Sequence, residues 1–108
     1  MELVQYVIAI DKNQKHQEII HEWTDHYILD DWLMQKRNGN KVVLSLEQLD
    51  KIENALKMPK SRMALAKQYR KEKDKMIEDD LWFVKKAKWA IKKGGQVHYI
   101  SMQVSADQ

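Results

Sequence analysis

The segment Asp79–Gly95, DDLWFVKKAKWAIKKGG, carries the signals of one amphipathic helix that leads directly into a strand. Asp79 or Asp80 suits the N-cap, because a carboxylate accepts hydrogen bonds from free backbone N–H groups and complements the positive end of the helix dipole. Lysines near the other end suit the negative pole, and the Gly94–Gly95 pair favours the left-handed backbone that ends a helix. We therefore expect a helix that begins at Asp79 or Asp80 and ends before the glycines.

At 100° per residue, the apolar side chains of this helix fall into two groups. One arc is the expected core face and contains Phe83, Val84, Ala87, Ala90 and Ile91. Opposite it lie two tryptophans flanked by four lysines, which we name the Trp/Lys face: Trp82, Trp89, Lys85, Lys86, Lys92 and Lys93. Indole rings edged by ammonium groups could hold nucleobases, a phosphate-rich ligand or an acidic protein groove. The sequence leaves three coverings open for the tryptophans: another part of this chain, a second copy in a homodimer, or a partner.

The remaining pattern predicts one α+β domain over residues 1–104 and a frayed polar tail at 105–108. The apolar run Leu3–Ile10 and the short segment Lys41–Leu44 predict two strands. Gln96–Val104 alternates as a third strand, with one face formed by His98, Ile100, Met102 and Val104. We expect a small three-stranded sheet packed on one face by three to four helices.

Local signals predict the other helices. Lys15–Arg37 indicates a helix that is kinked or broken near its Asp30–Asp31 pair, with an apolar stripe formed by Ile19, Ile20, Trp23, Tyr27 and Met34. Ser45 and Gln48 have the S-x-x-Q spacing of a capping box at the start of a second helix. The highly charged segment Ser61–Lys75 predicts a solvated helix.

Residues 21–26, HEWTDH, superficially resemble the H-E-x-x-H zinc motif. The second histidine lies at i+5 instead of i+4, so on a helix it would point about 140° away from the first. On the same helix His21 and Asp25 would be neighbours, as would Glu22 and His26. We interpret the four side chains as ion pairs on a polar helix face and assign no metal. A metal-dependent enzyme built on them stays open as a third hypothesis.

Composition limits the function classes. The 108 residues contain no cysteine, which removes disulfides, thiol catalysis and cysteine-based zinc sites. The sequence also lacks a glycine-rich phosphate loop and a G-x-S-x-G motif, so we expect a non-enzymatic protein without a cofactor. No apolar run reaches the ~20 residues that span a bilayer. We expect a cytoplasmic protein that does not associate with a membrane.

The net charge of +3 is unevenly distributed along the chain. Residues 1–56 contain 6 Lys+Arg against 10 Asp+Glu, whereas residues 57–93 contain 13 against 5. This polarity indicates either an electrostatically oriented partner or ion pairing between the two parts. Nucleic-acid binding by the basic 57–93 region is the alternative function, with a secondary basic patch at Arg62, Lys67, Arg70 and Lys71.

Three segments resemble a family of small, mostly uncharacterised bacteriophage proteins: Ile20–Trp23 (IHEW), Val42–Leu56 (VVLSLEQLDKIENAL) and Asp79–Ser101. In that family a strand enters an L-T-x-E-x-L-x-x-L helix, and a later D-D-L-x-F-x-x-K-A helix ends in glycine before a strand. This chain departs from the family pattern at Trp82 and Trp89, where the family has polar residues. It also has a basic segment where the family often has an aromatic, glycine-containing loop. The resemblance implies a phage or prophage origin and supplies no reaction.

The leading hypothesis is a phage accessory protein that acts in the cytoplasm of the host bacterial cell. It would bind and modulate a host macromolecule, a defence or regulatory protein with an acidic surface. The Trp/Lys face would make the contact, with the indoles as anchors and the lysines supplying orientation and association rate.

Overall fold

The computed structural model describes residues 2–34, 39–69 and 73–105, apart from the side chains of residues 62, 65, 66, 68, 69 and 73. Within them, strands and helices follow one another in the order β-β-α-β-α-α-α-β. The strands are β1 (Glu2–Ile10), β2 (Gln17–Thr24), β3 (Lys41–Leu44) and β4 (Gln96–Val104). The helices are α1 (Tyr27–Leu33), α2 (Leu46–Lys57), α3 (Pro59–Tyr69) and α4 (Lys73–Lys92).

The strands form one antiparallel sheet in the order β2-β1-β4-β3. The central strands β1 and β4 pair along their whole length, from Glu2 opposite Val104 to Ile10 opposite Gln96. The α+β prediction is confirmed, and the predicted count of three strands is wrong, because the described residues contain four. The additional strand is β2, which lies at one edge of the sheet.

β2 occupies the first half of the predicted helix Lys15–Arg37, so that prediction is wrong there. The segment fits the strand period of two residues as well as the helical period. His21 and Trp23, two residues apart, point to the same side of the sheet, and both contact the ring of Phe83. The turn at Asp11 favours the strand: its backbone N–H donates to the carbonyl of His16 at 3.1 Å. Its side-chain Oδ1 also accepts from the backbone N–H of Lys15 at 2.9 Å. These bonds reverse the chain, and pairing with β1 then satisfies those backbone groups of β2 that face β1.

Asp25 ends β2 and separates it from α1. Its φ of 57° lies in the left-handed region, which aspartate tolerates better than most residues. Its Oδ1 accepts a hydrogen bond from the backbone N–H of Leu3 at 2.8 Å. Helix α1 begins only at Tyr27, so the Asp30–Asp31 pair lies inside a helix instead of at a break.

The predicted capping box at the start of α2 is confirmed. Ser45 Oγ accepts from the backbone N–H of Gln48 at 3.2 Å, and Gln48 Oε1 accepts from the backbone N–H of Ser45 at 2.9 Å. The helices cover one face of the sheet, and the core between the two layers includes these fully buried residues: Val7, Leu29, Leu49, Leu56, Phe83, Val84, Val97 and Tyr99. Across residues 2–34, 39–69 and 73–105, no helix has both the length and the apolar character to cross a bilayer.

Helix α4 begins at Lys73, so the prediction that Asp79 or Asp80 caps it is wrong. Both aspartates lie inside the helix, where their backbone N–H groups need no capping partner. Their carboxylates instead accept hydrogen bonds from three side chains of the HEWTDH segment: His21, Trp23 and His26. The Asp79–Asp80 pair therefore makes a tertiary contact from inside α4 and does not start the helix.

The predicted end of α4 is confirmed at the glycine pair. The helix ends at Lys92, Gly94 has a φ of 95°, and the backbone N–H of Gly95 donates to the carbonyl of Ala90 at 3.1 Å. A Cβ atom at Gly95 would lie 2.6 Å from the carbonyl oxygen of Ile10. Glycine is required there because the backbone of α4 turns against the end of β1.

Candidate partner-binding surface

The two tryptophans of α4 are exposed. Trp82 keeps 52% of its surface accessible and Trp89 keeps 62%, whereas Phe83 on the opposite side of the helix is fully buried. The predicted division of α4 into two faces is confirmed for the core arc, since Val84 and Ala87 are also fully buried. Within the part of the chain that the structure describes, nothing covers the tryptophans as a core would.

Lysine ammonium groups lie against both indole rings. Lys93 Nζ is 3.3 Å from the ring centroid of Trp89, a close cation–π contact. Lys85 Nζ and Lys86 Nζ lie 5.8 and 5.6 Å from the ring of Trp82. These contacts hold part of the positive charge of the Trp/Lys face directly over its aromatic surface.

Lys86 also has an internal role. Its Nζ donates a hydrogen bond to the backbone carbonyl of Ile20 and so ties α4 to the edge strand β2. Partial burial lowers the pKa of Lys86, and the nearby carboxylate of Asp79 opposes that shift. Lys86 therefore belongs to the contact between helix and sheet as well as to the face, while Lys85, Lys92 and Lys93 are exposed.

A groove of about 770 Å³ runs beside Trp89, between the end of α4 and the β1–β2 hairpin. Lys12 and Lys93 line it with positive charge, and Asp11 and Glu18 line it with negative charge. A smaller groove of about 440 Å³ lies on the other side of Trp89, towards α2, and includes Lys85 and Lys92. The Trp89 indole therefore borders two concave surfaces of mixed charge.

Part of the positive charge of the 57–93 region is neutralised within the chain. Lys88 Nζ lies 2.5 Å from Asp50 Oδ1 and 3.0 Å from Glu53 Oε2, both on α2. Hydrogen bonds to these two acids raise the pKa of Lys88, and the bond from Lys88 lowers the pKa of Glu53. Ion pairing between the acidic and basic parts of the sequence therefore occurs, at a lysine that the sequence pattern did not single out.

The predicted secondary basic patch is only partly within the described structure. Lys67 is exposed on α3. The side chain of Arg62, and Arg70 and Lys71 altogether, lie outside the described residues.

A buried polar cluster joins the HEWTDH segment to α4, and sequence reasoning missed it. Asp80 is fully buried, and its Oδ1 accepts from the indole Nε1 of Trp23 at 2.9 Å. Its Oδ2 lies 2.6 Å from His26 Nε2, and His26 is also fully buried. Next to this pair, His21 Nε2 lies 2.7 Å from Asp79 Oδ2. The sequence pattern that could have predicted the cluster is two neighbouring acids, Asp79 and Asp80, together with two histidines five residues apart, His21 and His26.

The cluster continues beneath the sheet through Gln5 and Tyr99. Gln5 Nε2 donates to the carbonyl of His26 at 3.0 Å and to the hydroxyl of Tyr99 at 2.8 Å. The Tyr99 hydroxyl donates in turn to Asp30 Oδ1 at 2.8 Å. Burial raises the pKa of Tyr99 far above its usual range, which keeps the hydroxyl protonated as a donor. These bonds satisfy buried polar groups and fix the junction of β1, β4 and α1.

The four HEWTDH side chains considered as metal ligands do not converge. The segment is a strand, so neighbours expected on a helix diverge. His21 pairs with Asp79, Glu22 is exposed beside Tyr6 in the register, and Asp25 accepts from the backbone of Leu3. In the described portion of the chain, no group of three or more His, Cys, Asp or Glu side chains is arranged to hold a metal ion.

Comparison with known proteins leaves the function to be argued from the surface itself. No protein-family model, curated protein or solved structure matches this chain. The Trp/Lys face combines two exposed indole rings, the side chain most typical of binding hot spots, with lysines that can orient a charged partner.

Proposed function

We propose that this protein is a non-enzymatic binding protein whose Trp/Lys face engages an acidic surface of another protein. The observation that carries the proposal is the exposure of Trp82 and Trp89, at 52% and 62%, with lysine ammonium groups against their rings. Exposed indoles are costly in water and enriched at interface hot spots, where burial against a partner offsets that cost. The lysines would orient an acidic partner and speed its approach.

The charge of the surroundings supports a protein partner over a nucleic acid. Asp11 and Glu18 line the larger groove beside Trp89, where a phosphate backbone would meet them unfavourably. Lys88, which adds to the positive count of the region, is already paired with two acids. A protein surface with acids and a few complementary basic groups suits this mixture, whereas a continuous run of phosphates does not.

The biological setting of the proposal comes from the resemblance to bacteriophage proteins. A phage accessory protein acting in the cytoplasm of its host would meet host defence and regulatory proteins, and binding one of them would modulate it.

Affinity capture from bacterial lysate tests the face. The tagged wild-type chain is compared with a Trp82→Ala/Trp89→Ala variant, with Met63→Ala as the matched control because Met63 is 64% exposed on α3. We expect a specific protein to be retained by the wild type and the control and lost by the double variant. An identical set of bound proteins for all three folded chains would contradict the proposal.

A second measurement separates the alternative function. Single- and double-stranded nucleic-acid probes are titrated with the wild type at low salt and again at about 0.2 M salt. Binding that weakens steeply with salt would identify phosphate contacts and favour nucleic-acid binding over the proposed protein partner. We expect no binding at either salt concentration.

A further inference from the structure

The sheet has a second face, turned away from the helices, and it is largely apolar. On the central strands this outer face consists of Glu2, Val4, Tyr6, Ile8 and Ile10 of β1 with Gln96, His98, Ile100, Met102 and Val104 of β4, so its polar members are Glu2, Gln96 and His98. The register fixes this grouping, because directly paired residues lie on the same side of a sheet. None of these side chains belongs to the core between sheet and helices in the described structure. Antiparallel sheets usually carry polar residues on a solvated face, so this one departs from the pattern.

The edge strands add exposed aliphatic residues to the outer face. Ile19 of β2 and Val43 of β3 are 55% and 54% exposed. They lie in one cross-strand row, since Ile19 pairs with Ile8, Ile8 with His98, and His98 with Val43. A row with three aliphatic residues in four positions that ends in two exposed ones indicates a face that is covered by another surface.

The neighbouring row carries opposite charges at its two ends. Glu22 of β2 pairs with Tyr6, Tyr6 with Ile100, and Ile100 with Lys41 of β3. Tyr6 and Ile100 are the middle residues of their nine-residue strands, so this row crosses the centre of the sheet. Glu22 and Lys41 stand three strand spacings apart, roughly 14 Å, which is too far for an ion pair within one chain.

We propose that a second copy of this chain covers the outer face, sheet against sheet, about a two-fold axis that runs parallel to the strands between β1 and β4. This axis reverses the strand order of the second copy while keeping each row in register. Glu22 then lies opposite Lys41 of the second copy, and the same pair forms again on the other side. The most exposed aliphatic residues also meet, because Ile19 lies opposite Val43 of the second copy.

Charge decides between the two ways of stacking the faces. A two-fold axis perpendicular to the strands through the central row would set Glu22 against Glu22 and Lys41 against Lys41, which is unfavourable. The axis parallel to the strands gives two opposite-charge pairs around an apolar centre, the self-complementary arrangement that a symmetric dimer requires. Sheets stack about 10 Å apart and rotated by about 30°, an offset that the long Glu and Lys side chains span.

The dimer leaves the Trp/Lys face outside, because α4 covers the opposite side of the sheet. The inference therefore goes beyond the proposed function and stands or falls separately from it. One consequence is that a dimer would display two Trp/Lys faces, which strengthens binding to a partner with repeated sites.

Sedimentation equilibrium of the full chain over about 10 µM to 1 mM tests the proposal. We expect a monomer–dimer equilibrium that Val43→Glu weakens by at least about tenfold, since each dimer then buries two unpaired carboxylates. Met63→Glu is the matched control, because Met63 is also exposed, at 64% against 54% for Val43, but lies on α3. A monomer throughout this range would overturn the proposal, as would a dimer that Val43→Glu leaves unchanged.

Charge reversal tests the axis. Glu22→Lys and Lys41→Glu should each weaken the dimer by about tenfold, because each replaces two attractive pairs with two repulsive ones. The combined variant restores both pairs and should return the dissociation constant to within about threefold of the wild type. Glu47→Lys, an exposed site on α2, controls for the change in net charge. A combined variant no tighter than the single variants would overturn the proposed packing.

Discussion

The indole of Trp23 and the carboxylate of Asp80 form a buried hydrogen bond of 2.9 Å between β2 and α4. The second carboxylate oxygen lies 2.6 Å from His26 Nε2, so one aspartate joins the edge strand, the start of α1 and the longest helix. This relationship explains why the HEWTDH segment is a strand followed by a turn. Its large polar groups find their partners on α4, and the left-handed backbone of Asp25 lies between the two residues, Trp23 and His26, that share one carboxylate.

Removing the Asp80 carboxylate should be strongly destabilising. Asp80→Ala leaves Trp23 Nε1 and His26 without their acceptor in a site with no access to water, a loss of about 3 kcal/mol in the free energy of unfolding. Urea denaturation at neutral pH measures it. Asp79→Ala is the control, because that side chain is 44% exposed and its loss should cost no more than about 1 kcal/mol. Equal effects at the two positions would contradict the role assigned to Asp80.

The exposed tryptophans should contribute little to folding. Trp82→Ala and Trp89→Ala should each change the free energy of unfolding by no more than about 0.5 kcal/mol. Phe83→Ala, between them in the sequence but fully buried, should cost about 4 kcal/mol. Chemical denaturation of the three variants, followed by circular dichroism, provides the comparison. A cost at Trp89 similar to that at Phe83 would show that another part of the chain covers the indole.

Gly95 should be intolerant of a side chain. A Cβ atom at this position would approach the carbonyl oxygen of Ile10 to 2.6 Å, so Gly95→Ala should destabilise the fold by about 2 kcal/mol through backbone displacement. Gly39→Ala is the matched comparison: its φ is 72°, but among the described residues other than its chain neighbours no atom lies within 4 Å of the added carbon. It should cost about 1 kcal/mol from left-handed strain alone. Thermal unfolding of both variants measures the two losses of stability. A smaller loss for Gly95→Ala than for Gly39→Ala would contradict the close approach of Gly95 to Ile10.

His98 should make stability fall in mild acid. Burial, and to a lesser extent the charge of Lys41, lower the pKa of His98 below its ordinary value of 6.5. As pH falls through the unfolded-state value, the unfolded chain takes up a proton that the native state does not, so the free energy of unfolding declines until the native pKa is passed. Above the unfolded value the imidazole is neutral in both states and this contribution to stability is complete.

His98→Gln isolates that contribution, because it removes the imidazole of His98 and leaves every other ionisable group of the chain in place. The difference in free energy of unfolding between wild type and variant, measured from pH 8 to pH 5, should shift against the wild type as pH falls. A difference that stays constant over this range would show that the environment of His98 does not disfavour its charge.

Much of the fold could be predicted from short segments of the sequence, whereas the candidate site could be predicted only in part. The alternation of Gln96–Val104 correctly grouped His98, Ile100, Met102 and Val104 on one face of β4, and the 100° wheel correctly separated Phe83 from Trp82. The same wheel failed at β2, because Ile19 and Trp23 fit a helical stripe while His21 and Trp23 fit the alternation of a strand. The acidic pair at Asp79 was mistaken for a cap, since capping and side-chain acceptance use the same carboxylate chemistry.

By itself, the sequence determined the features that depend on neighbours a few positions away: the capping box at Ser45, the end of α4 at Gly94 and the two-sided character of that helix. Only the tertiary structure decided that β2 is a strand, that Asp80 is buried and that the tryptophans remain exposed. Each depends on what packs against the residue from far along the chain. Asp80 meets Trp23 and His26 across 57 and 54 residues of sequence, and no local pattern encodes which distant group supplies a buried carboxylate with its donors.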